Sequence, residues 1–342
     1  MFSGCYTALI TPMLPDGDVD LDGLRRLIEF QVAGGVKGLL AVGTTGESPT
    51  LSWDEHNNVV LYVRRVLAER GITIAGSGSN NTAEAIRATQ HAWEHGVQAS
   101  LLVDPYYNGP SSLEIRREYI APIAQQVPQM QLIPYVIPSR TGTQLLPEDI
   151  AILHDEFPNV RCVKEATGNM ENMRRTRVCC GRDFDILSGD DDITFQMMTD
   201  PSISASGVIS VTSNIAPEAV QKMVALIAAG KMEEAGRIRD ALKPLFSIIT
   251  VKTQEETPYG PVMCRARNPL PTKTLMNLLG MPSGPCRRPL GRMTRKGLDV
   301  VVKAVREVWE RNPEILRPIE EAFGVKIEER ITDPKFREGL AY

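Results

Sequence analysis

Residues 38–76, GLLAVGTTGESPTLSWDEHNNVVLYVRRVLAERGITIAG, contain the repeating unit from which the fold can be predicted. The short apolar run Gly38–Val42 is typical of a buried strand, and Trp53–Glu69 has the apolar spacing of a helix. Ser52, with Glu55 three residues later, matches the capping-box pattern at the start of that helix. A second apolar run, Thr73–Gly76, follows directly. The stretch therefore predicts a strand, a helix and a second strand, which is the unit of a parallel sheet.

The same alternation continues over the first 230 residues or so. We predict eight strands: Tyr6–Thr11, Gly38–Val42, Thr73–Gly76, Ala99–Val103, Gln131–Ile137, Val160–Lys164, Asp185–Leu187 and Ala205–Ser210. We predict helices after them: Leu21–Ala33, Trp53–Glu69, Thr82–His95, Ser112–Gln126, Pro147–Glu156, Asn169–Val178, Asp191–Thr199 and Pro217–Ala229.

Eight such units favour an α/β fold of the closed parallel (β/α)8 type, a TIM barrel, over an open sheet. An open doubly wound sheet would suggest a Gly-x-Gly-x-x-Gly turn after the first strand, and the turn TPMLPDGDVD at 11–20 lacks this pattern. After about residue 230 the strands are predicted to stop. The remaining segments predicted as helical are Met232–Ile249, Pro271–Leu279, Lys296–Trp309 and a short one that includes Glu320–Ala322.

The chain is therefore divided into a barrel at 1–230, a C-terminal helical domain, or appendix, at 231–311 and a C-terminal extension of unknown role at 312–342. The extension is either an ordered clasp on a neighbouring subunit or a loose tail, and the clasp is favoured.

Composition and the N-terminus exclude several classes of protein. A formal net charge of -4 without a concentrated basic face argues against nucleic-acid binding. The N-terminus does not have the pattern of a secretion signal, and apolar runs such as Val36–Val42 are far shorter than the roughly 20 residues that cross a bilayer. The six cysteines are scattered, which predicts reduced thiols and a cytoplasmic protein. His91 and His95 lie four apart on a predicted helix, and with no third ligand evident a surface pair is favoured over a metal site.

Lys164 is the strongest candidate for a chemical role, because it ends an apolar strand where an ammonium would be poorly solvated. Desolvation lowers the pKa of a lysine and makes the free amine available. A free amine can attack a ketone to form an imine, and the carbon next to the imine can then lose a proton to give an enamine. The alternative is that Lys164 pairs with a buried acid. A pair with Glu165 is disfavoured because neighbouring residues of a strand point to opposite faces.

Hydroxyl and guanidinium groups occur at the ends of the other predicted strands. Tyr135, Thr44 and Tyr107 could form a proton relay, although each aromatic residue taken alone would more often belong to the core. Thr44 and Thr45 belong to a glycine-flanked turn whose amides and hydroxyls could hold a small carboxylate. The planar fork of Arg140 suits bidentate carboxylate binding, and the alternative is a surface or interface arginine.

These motifs together resemble the dihydrodipicolinate synthase / N-acetylneuraminate lyase family. The resemblance covers about residues 4–310, in the family's order and spacing. It is carried by GTTGE at 43–47, PYYN at 105–108, YVIPSRTG at 135–142, KEATG at 164–168, SGDDD at 188–192 and GVISVTSN at 207–214.

The resemblance implies a role for each residue of the site. Lys164 would form an imine with pyruvate, and Tyr135, Thr44 and Tyr107 would relay protons, with Tyr107 supplied across a dimer interface. The substrate-binding residues implied are Thr45 for the pyruvate carboxylate, Arg140 for the carboxylate of the aldehyde, and Ile209 and Gly189 behind and beside the substrate. The expected reaction condenses pyruvate with L-aspartate 4-semialdehyde to 4-hydroxy-tetrahydrodipicolinate, on the lysine and diaminopimelate route. The resemblance implies a lyase that needs no metal or organic cofactor and forms a homodimer or homotetramer.

Two alternatives stay open at this point. The first is a sister pyruvate aldolase that acts on 2-keto-3-deoxygluconate or 4-hydroxy-2-oxoglutarate, which Arg140 disfavours. The second is a non-catalytic barrel that binds pyruvate or lysine, which has no need of a lysine with a hydroxyl relay.

Family members that are inhibited by lysine bind it at a dimer interface, so lysine is a further expected effector. The matching residues are Ser48, Trp53, His56, Asn80, Glu84 and Tyr106. The alternative is that Glu84 and His56 are ordinary residues of a helix surface. The sequence departs from the family pattern at Asp104, where threonine is more common, and in running about 30 residues past the usual end.

Overall fold

The computed structural model describes residues 2–342. Within them, eight parallel strands pair in chain order and the eighth returns to the first, which closes the sheet into a barrel. The predicted (β/α)8 architecture is confirmed. The barrel strands are β1 (Gly4–Ala8), β2 (Gly38–Ala41), β3 (Ile72–Gly76), β4 (Ala99–Val103), β5 (Gln131–Val136), β6 (Cys162–Glu165), β7 (Asp185–Ser188) and β8 (Gly207–Ser210).

Helices cover the outside of the barrel and connect its strands. They are α1 (Leu21–Ala33), α2 (Trp53–Leu67), α3 (Thr82–Glu94), α4 (Ser112–Glu114), α5 (Ala121–Gln126), α6 (Pro138–Thr141), α7 (Pro147–Glu156), α8 (Met170–Cys180), α9 (Thr194–Thr199) and α10 (Pro217–Ala228). A π-helical segment, Ile115–Ile120, joins α4 to α5. The capping box predicted for α2 is present, since Ser52 and Glu55 each bond the other's backbone amide.

Side chains alternate between the inside and the outside of the barrel, and this alternation positions the site. On β5 and β6, Ile133, Tyr135 and Cys162 belong to the inner cluster, whereas Val136 and Val163 pack under the helices. Tyr135 and Lys164 are partners in the register of these two strands, so their side chains lie next to each other at the carboxyl end of the barrel. This is the end at which barrel enzymes place their chemistry.

The C-terminal region begins as a helix but is not helical throughout. Its elements are α11 (Met232–Ser247), β9 (Thr250–Thr257), β10 (Gly260–Arg267), α12 (Leu270–Leu279) and α13 (Arg295–Arg311). The prediction that strands stop near residue 230 is wrong for residues 250–267, because β9 and β10 form an antiparallel hairpin. The hairpin was missed because most of its residues are polar or exposed. Only a few positions, such as buried Val251, contribute to the core.

The extension after α13 packs against its own chain. It contains α14 (Arg317–Phe323) and α15 (Ile327–Thr332), whose buried residues join the main core cluster. The rings of Phe323 and Phe30 meet with their centroids 5.2 Å apart, and Met293 forms a parallel bridge with Ala341. The extension is therefore ordered on its own chain, and its role as a clasp on a neighbouring subunit stays a prediction. Among residues 2–342, none of the helices is long and apolar enough to cross a membrane.

Candidate active site

Lys164 lies at the end of β6 with its side chain inside the barrel, where it is only 4% exposed. Its ammonium lies 4.2 Å from the centroid of the Tyr135 ring, and none of the ion pairs among residues 2–342 includes it. Burial lowers the pKa of Lys164 to about 8, against the opposing influence of Asp190 and Asp191. At pH 7 about a tenth of this amine is therefore unprotonated, far more than for a lysine in water.

Glu165 points to the other side of β6 and is held there. One carboxylate oxygen accepts from the amide of Thr167 at 2.8 Å, and the other accepts from the side-chain amide of Asn172 at 2.9 Å. An ion pair between Lys164 and Glu165 is thus excluded, because neighbouring residues of a strand point to opposite faces.

Tyr135 and Thr44 line the same cavity as Lys164, which has a volume of about 100 Å³. Burial raises the pKa of the Tyr135 hydroxyl, while Arg140 and the hydroxyl of Thr44 act in the opposite direction. Tyr135 therefore keeps its proton at neutral pH and can serve as a donor to a group bound at Lys164.

The GTTGE turn after β2 has a constrained backbone. Val42 and Glu47 have φ values of 50° and 59°, a region that is costly for a β-branched residue such as valine and is often found at functional sites. The amides of Thr44 and Thr45 donate to no acceptor among the described residues, whereas Glu47 donates to the Thr44 carbonyl. Because Thr44 and Thr45 also line the cavity, their amides and hydroxyls are available to a small carboxylate.

Arg140 is part of α6, the short helix that follows β5, and it lines the same cavity as Thr44 and Thr45. Its Nη2 donates to the carbonyl of Asn268 at 2.9 Å. Burial lowers the pKa of Arg140, as does the nearby charge of Arg265, while Tyr135 and Asp190 act against this shift. No carboxylate among residues 2–342 forms an ion pair with Arg140, so its charge is available to a substrate.

The remaining side of the cavity comes from β7 and β8. Gly189 lines it, and a Cβ at this position would lie 2.8 Å from Ala166 Cβ and 3.2 Å from Lys164 Cε, so glycine leaves room for the lysine. Ile209 is fully buried in the inner cluster, and Val211, two residues later, lines the cavity in its place. Asp190 also lines the cavity, and burial raises its pKa to about 6.

Tyr107 is the predicted site residue that this chain does not bring to the cavity. Its side chain is 85% exposed, and its backbone amide and that of Tyr106 both donate to the Asn80 side chain. A role for Tyr107 in the relay would require the side chain to enter the site of another subunit.

A second cavity, of about 490 Å³, adjoins the first and shares Thr44, Tyr135 and Arg140 with it. All six residues of the expected effector site line it: Ser48, Trp53, His56, Asn80, Glu84 and Tyr106. His56 is buried, with Nε2 2.9 Å from the Gly76 carbonyl and Nδ1 without a partner. Burial also lowers the pKa of His56. Glu84 accepts from the Ser79 hydroxyl at 2.7 Å. His56 is therefore not an ordinary surface residue.

Sequence reasoning missed several residues of the site that the C-terminal region supplies. Asn268 donates from Nδ2 to the Thr45 hydroxyl at 2.9 Å, and its backbone carbonyl accepts a hydrogen bond from Arg140 Nη2. Asn268 thereby links the GTTGE turn to Arg140. Arg267 also lines the Lys164 cavity. The sequence does indicate a turn at this point, because the turn-forming run Asn268–Pro271 follows the polar hairpin directly.

Asp104, the first departure from the family pattern, is fully buried behind the loop that carries Tyr107. Its Oδ2 accepts from the amide of Leu145 at 3.1 Å, and its Oδ1 has no partner. Burial raises the pKa of Asp104 to about 8. The loop after β4 is thus tied to the segment that follows α6 by an acid that burial keeps largely protonated.

His91 and His95 lie with their ring centroids 4.3 Å apart, and the described residues contain no group of three side chains suited to a metal ion.

Comparison with known proteins agrees with this geometry. The model of the "Dihydrodipicolinate synthetase family" matches residues 1–308. A 4-hydroxy-tetrahydrodipicolinate synthase of Geotalea daltonii is 39% identical over 307 residues, which cover 90% of this chain and 99% of the relative. The 4-hydroxy-tetrahydrodipicolinate synthase structure of Methylacidiphilum fumariolicum SolV superposes with a TM-score of 0.83 at 33% identity, covering 94% of this chain and 100% of its own. The lysine-bound dihydrodipicolinate synthase of Cyanidioschyzon merolae superposes with a TM-score of 0.81 at 34% identity. The match covers 90% of this chain and 98% of that structure. The chain belongs to the dihydrodipicolinate synthetase family.

Proposed function

We propose that this chain is a 4-hydroxy-tetrahydrodipicolinate synthase, a lyase that condenses pyruvate with L-aspartate 4-semialdehyde through an imine on Lys164. The observation that carries the proposal is the state of Lys164. It is buried beside Tyr135, forms no ion pair among the described residues, and faces a turn with two free amides. The names of the relatives support the same reaction.

In the first half of the reaction, the Lys164 amine attacks the ketone carbon of pyruvate. The resulting carbinolamine loses water and becomes an imine, with Tyr135 and Thr44 positioned to pass the protons. The amides of Thr44 and Thr45, with the Thr45 hydroxyl, bind the pyruvate carboxylate. The imine draws electrons from the adjacent methyl carbon, which loses a proton to give the enamine.

In the second half, the enamine carbon attacks the aldehyde carbon of aspartate semialdehyde, and Arg140 holds the carboxylate of that substrate. The amine of the same substrate then attacks the imine carbon and displaces Lys164, which closes the ring and frees the enzyme. Gly189 and Val211 bound the space in which these steps occur, and Ile209 belongs to the buried cluster inside the barrel. The lysine supplies the electron withdrawal, so this route needs no metal or organic cofactor.

The relay is completed by a second subunit in this proposal. Tyr107 is largely exposed on its own chain, and a homodimer or homotetramer would place it in the site of the partner. The six cysteines are free thiols, which fits a reducing cytoplasmic compartment.

The test is to incubate the protein with pyruvate and borohydride, and then to measure pyruvate consumption with aspartate semialdehyde and with sugar-derived aldehydes. We expect a covalent pyruvate adduct on Lys164 and turnover with aspartate semialdehyde. Lys164→Met should abolish both, whereas Lys243→Met, at an exposed lysine, should change neither. An adduct with turnover only on other aldehydes would indicate a sister aldolase. Pyruvate binding without adduct or turnover would indicate a non-catalytic barrel.

Free lysine is the proposed inhibitor, bound in the adjoining cavity. Trp53, His56 and Glu84 line that cavity together, and the relative from Cyanidioschyzon merolae binds lysine. Glu84→Gln should raise the lysine concentration for half inhibition by about tenfold or more, because a charge-assisted bond to the effector is lost. Glu94→Gln on the same helix should leave it unchanged. A rate that excess lysine does not alter in the unmodified enzyme would refute the proposal.

A further inference from the structure

The hairpin that sequence analysis missed presents a basic face. In its register Arg267 lies opposite Thr250, and Arg265 lies opposite Lys252. Residues that face each other across two strands share one side of the sheet, and so do residues two apart, so these four side chains lie on the same face. The opposite face carries the pair Val251 and Ala266, which packs into the core.

This basic face is directed to the mouth of the Lys164 cavity. Arg267 and Thr250 both line that cavity, on the same side as Arg140. The Arg267 guanidinium donates from Nη2 to the carbonyl of Ser139 at 3.1 Å and to its hydroxyl at 3.3 Å. Ser139 is the residue before Arg140, so the two guanidinium groups enter the site from adjacent points.

The cations at the Thr250 end of this face have no ion-pair partner among the described residues, and the carboxylate of the face, Glu256, lies opposite Pro261 at the other end. Among residues 2–342, no ion pair includes Lys252, Arg265 or Arg267, and the ion pair that reaches the hairpin, Lys296 with Glu255, lies on the other face. Arg267 Nε is buried and has no partner. Two cations directly opposite each other, as Arg265 and Lys252 are, destabilise a strand pair.

The cavity therefore brings Arg140 and Arg267 together near Lys164. Burial lowers the pKa of each arginine, Arg265 lowers both further, and Arg140 also lowers the pKa of Arg267. The carboxylate that lines the same cavity, Asp190, forms no ion pair with either guanidinium. Both guanidinium groups therefore line the cavity without a paired carboxylate among the described residues.

We propose that Arg267 is a second ligand for the carboxylate of the aldehyde substrate. Arg267 acts beside Arg140. The charges of Arg265 and Lys252 attract anions toward Arg267. Pyruvate is not the expected partner, because the free amides for its carboxylate lie on the GTTGE turn, whereas Arg267 is fixed to Ser139. The inference rests on the proposed function, since it assigns a residue to the aldehyde of that reaction. With Arg267 in this role, the hairpin is part of the substrate site.

The test is the steady-state kinetics of Arg267→Gln, Arg267→Lys and the exposed control Arg237→Gln at low salt. Arg267→Gln should raise the KM for aspartate semialdehyde about tenfold or more and leave the KM for pyruvate within about twofold, as expected for loss of a charge-assisted bond. Arg267→Lys should recover part of the loss, because it keeps the charge without the fork. Arg265→Gln should mainly reduce the salt dependence of kcat/KM for this aldehyde.

A second measurement does not depend on turnover. The pyruvate imine of each variant is reduced with borohydride, and the binding of succinic semialdehyde to the reduced enzyme is measured by calorimetry. Weaker binding to Arg267→Gln supports the proposal even if the unmodified enzyme fails to turn over aspartate semialdehyde, an outcome that would refute only the proposed function. Unchanged KM and unchanged binding would overturn the role of Arg267. So would an equal rise in KM for both substrates, which would mean that Arg267 only supports the pocket.

Discussion

The Lys273 ammonium lies 2.6 Å from the Glu47 carboxylate, and both side chains are fully buried. Lys273 also donates to the carbonyls of Thr11 and Pro285, and the second oxygen of Glu47 accepts from the amide of Arg287. Glu47 ends the GTTGE turn, and Lys273 belongs to α12. This pair therefore fixes the turn that faces Lys164 to the C-terminal region of the chain.

Replacing one member of this pair should be costly. Lys273→Met leaves the Glu47 carboxylate buried without its partner, which costs about 3–5 kcal/mol of unfolding free energy. Urea denaturation measures this loss, with the exposed Lys243→Met as control. The double variant Glu47→Leu with Lys273→Met should recover part of the loss, because no buried charge remains. A loss below about 1 kcal/mol for Lys273→Met would contradict this account.

Asn268 should affect pyruvate binding although it is far in sequence from Lys164. Asn268→Ala removes the bond to the Thr45 hydroxyl, and the KM for pyruvate should rise about tenfold, the effect of losing one buried hydrogen bond. The control is Thr272→Val, which removes only the hydroxyl that donates to Asn268 Oδ1. If both variants keep the KM of the unmodified enzyme, Asn268 does not position Thr45.

The barrel and the centre of the site could be predicted because both depend on local patterns. Lys164 follows the apolar residues of β6 near its carboxyl end, and strand alternation alone separates Lys164 from Glu165. The contributions of the C-terminal region could not be predicted in this way. Asn268 meets Thr45 across 223 residues of chain and Lys273 meets Glu47 across 226, and no periodicity encodes such contacts.

The hairpin and Tyr107 illustrate two other limits. Residues 250–267 have too few apolar positions to resemble a strand pair, because the face with Arg265 and Arg267 is turned to the site and not to the core. Tyr107 was predicted as a member of the relay across a dimer interface, and this stays a prediction, because its side chain is exposed on its own chain.

The rate of imine formation should depend on pH through Lys164. The amine is the nucleophile and the pKa of Lys164 is about 8, so the rate should rise with pH and level off above about pH 8. Asp190, whose pKa is about 6, is ionised above that pH and holds the pKa of Lys164 up. Asp190→Asn should therefore move the rise to lower pH and increase the rate at pH 7 by about threefold, the change expected for half a pH unit.

Borohydride trapping at a series of pH values measures this profile. The control is Asp192→Asn, which removes an exposed carboxylate of the same turn and should leave the midpoint in place. A shift to higher pH in Asp190→Asn would mean that the carboxylate does not act on Lys164 through its charge.

Asp104 should make the stability of the protein fall as pH rises. Its pKa is about 8 in the folded protein and about 3.9 when unfolded, so between these values the folded state holds a proton that the unfolded state has lost. The stabilising effect is complete below about pH 4 and is lost as pH rises through 8, by about 1.4 kcal/mol for each pH unit.

Asp104→Asn removes this dependence, because its amide oxygen can still accept from Leu145 and no proton is exchanged. The difference in unfolding free energy between the variant and the unmodified enzyme should therefore grow in favour of the variant from pH 5 to pH 8.5. Glu165, a buried carboxyl whose pKa is also raised by burial, is present in both proteins, so the part of its titration that is independent of Asp104 drops out of this difference. Urea denaturation at several pH values tests the prediction, with Asp299→Asn, at an exposed position of α13, as control. Parallel curves for the variant and the unmodified enzyme would show that Asp104 is already ionised in the folded protein.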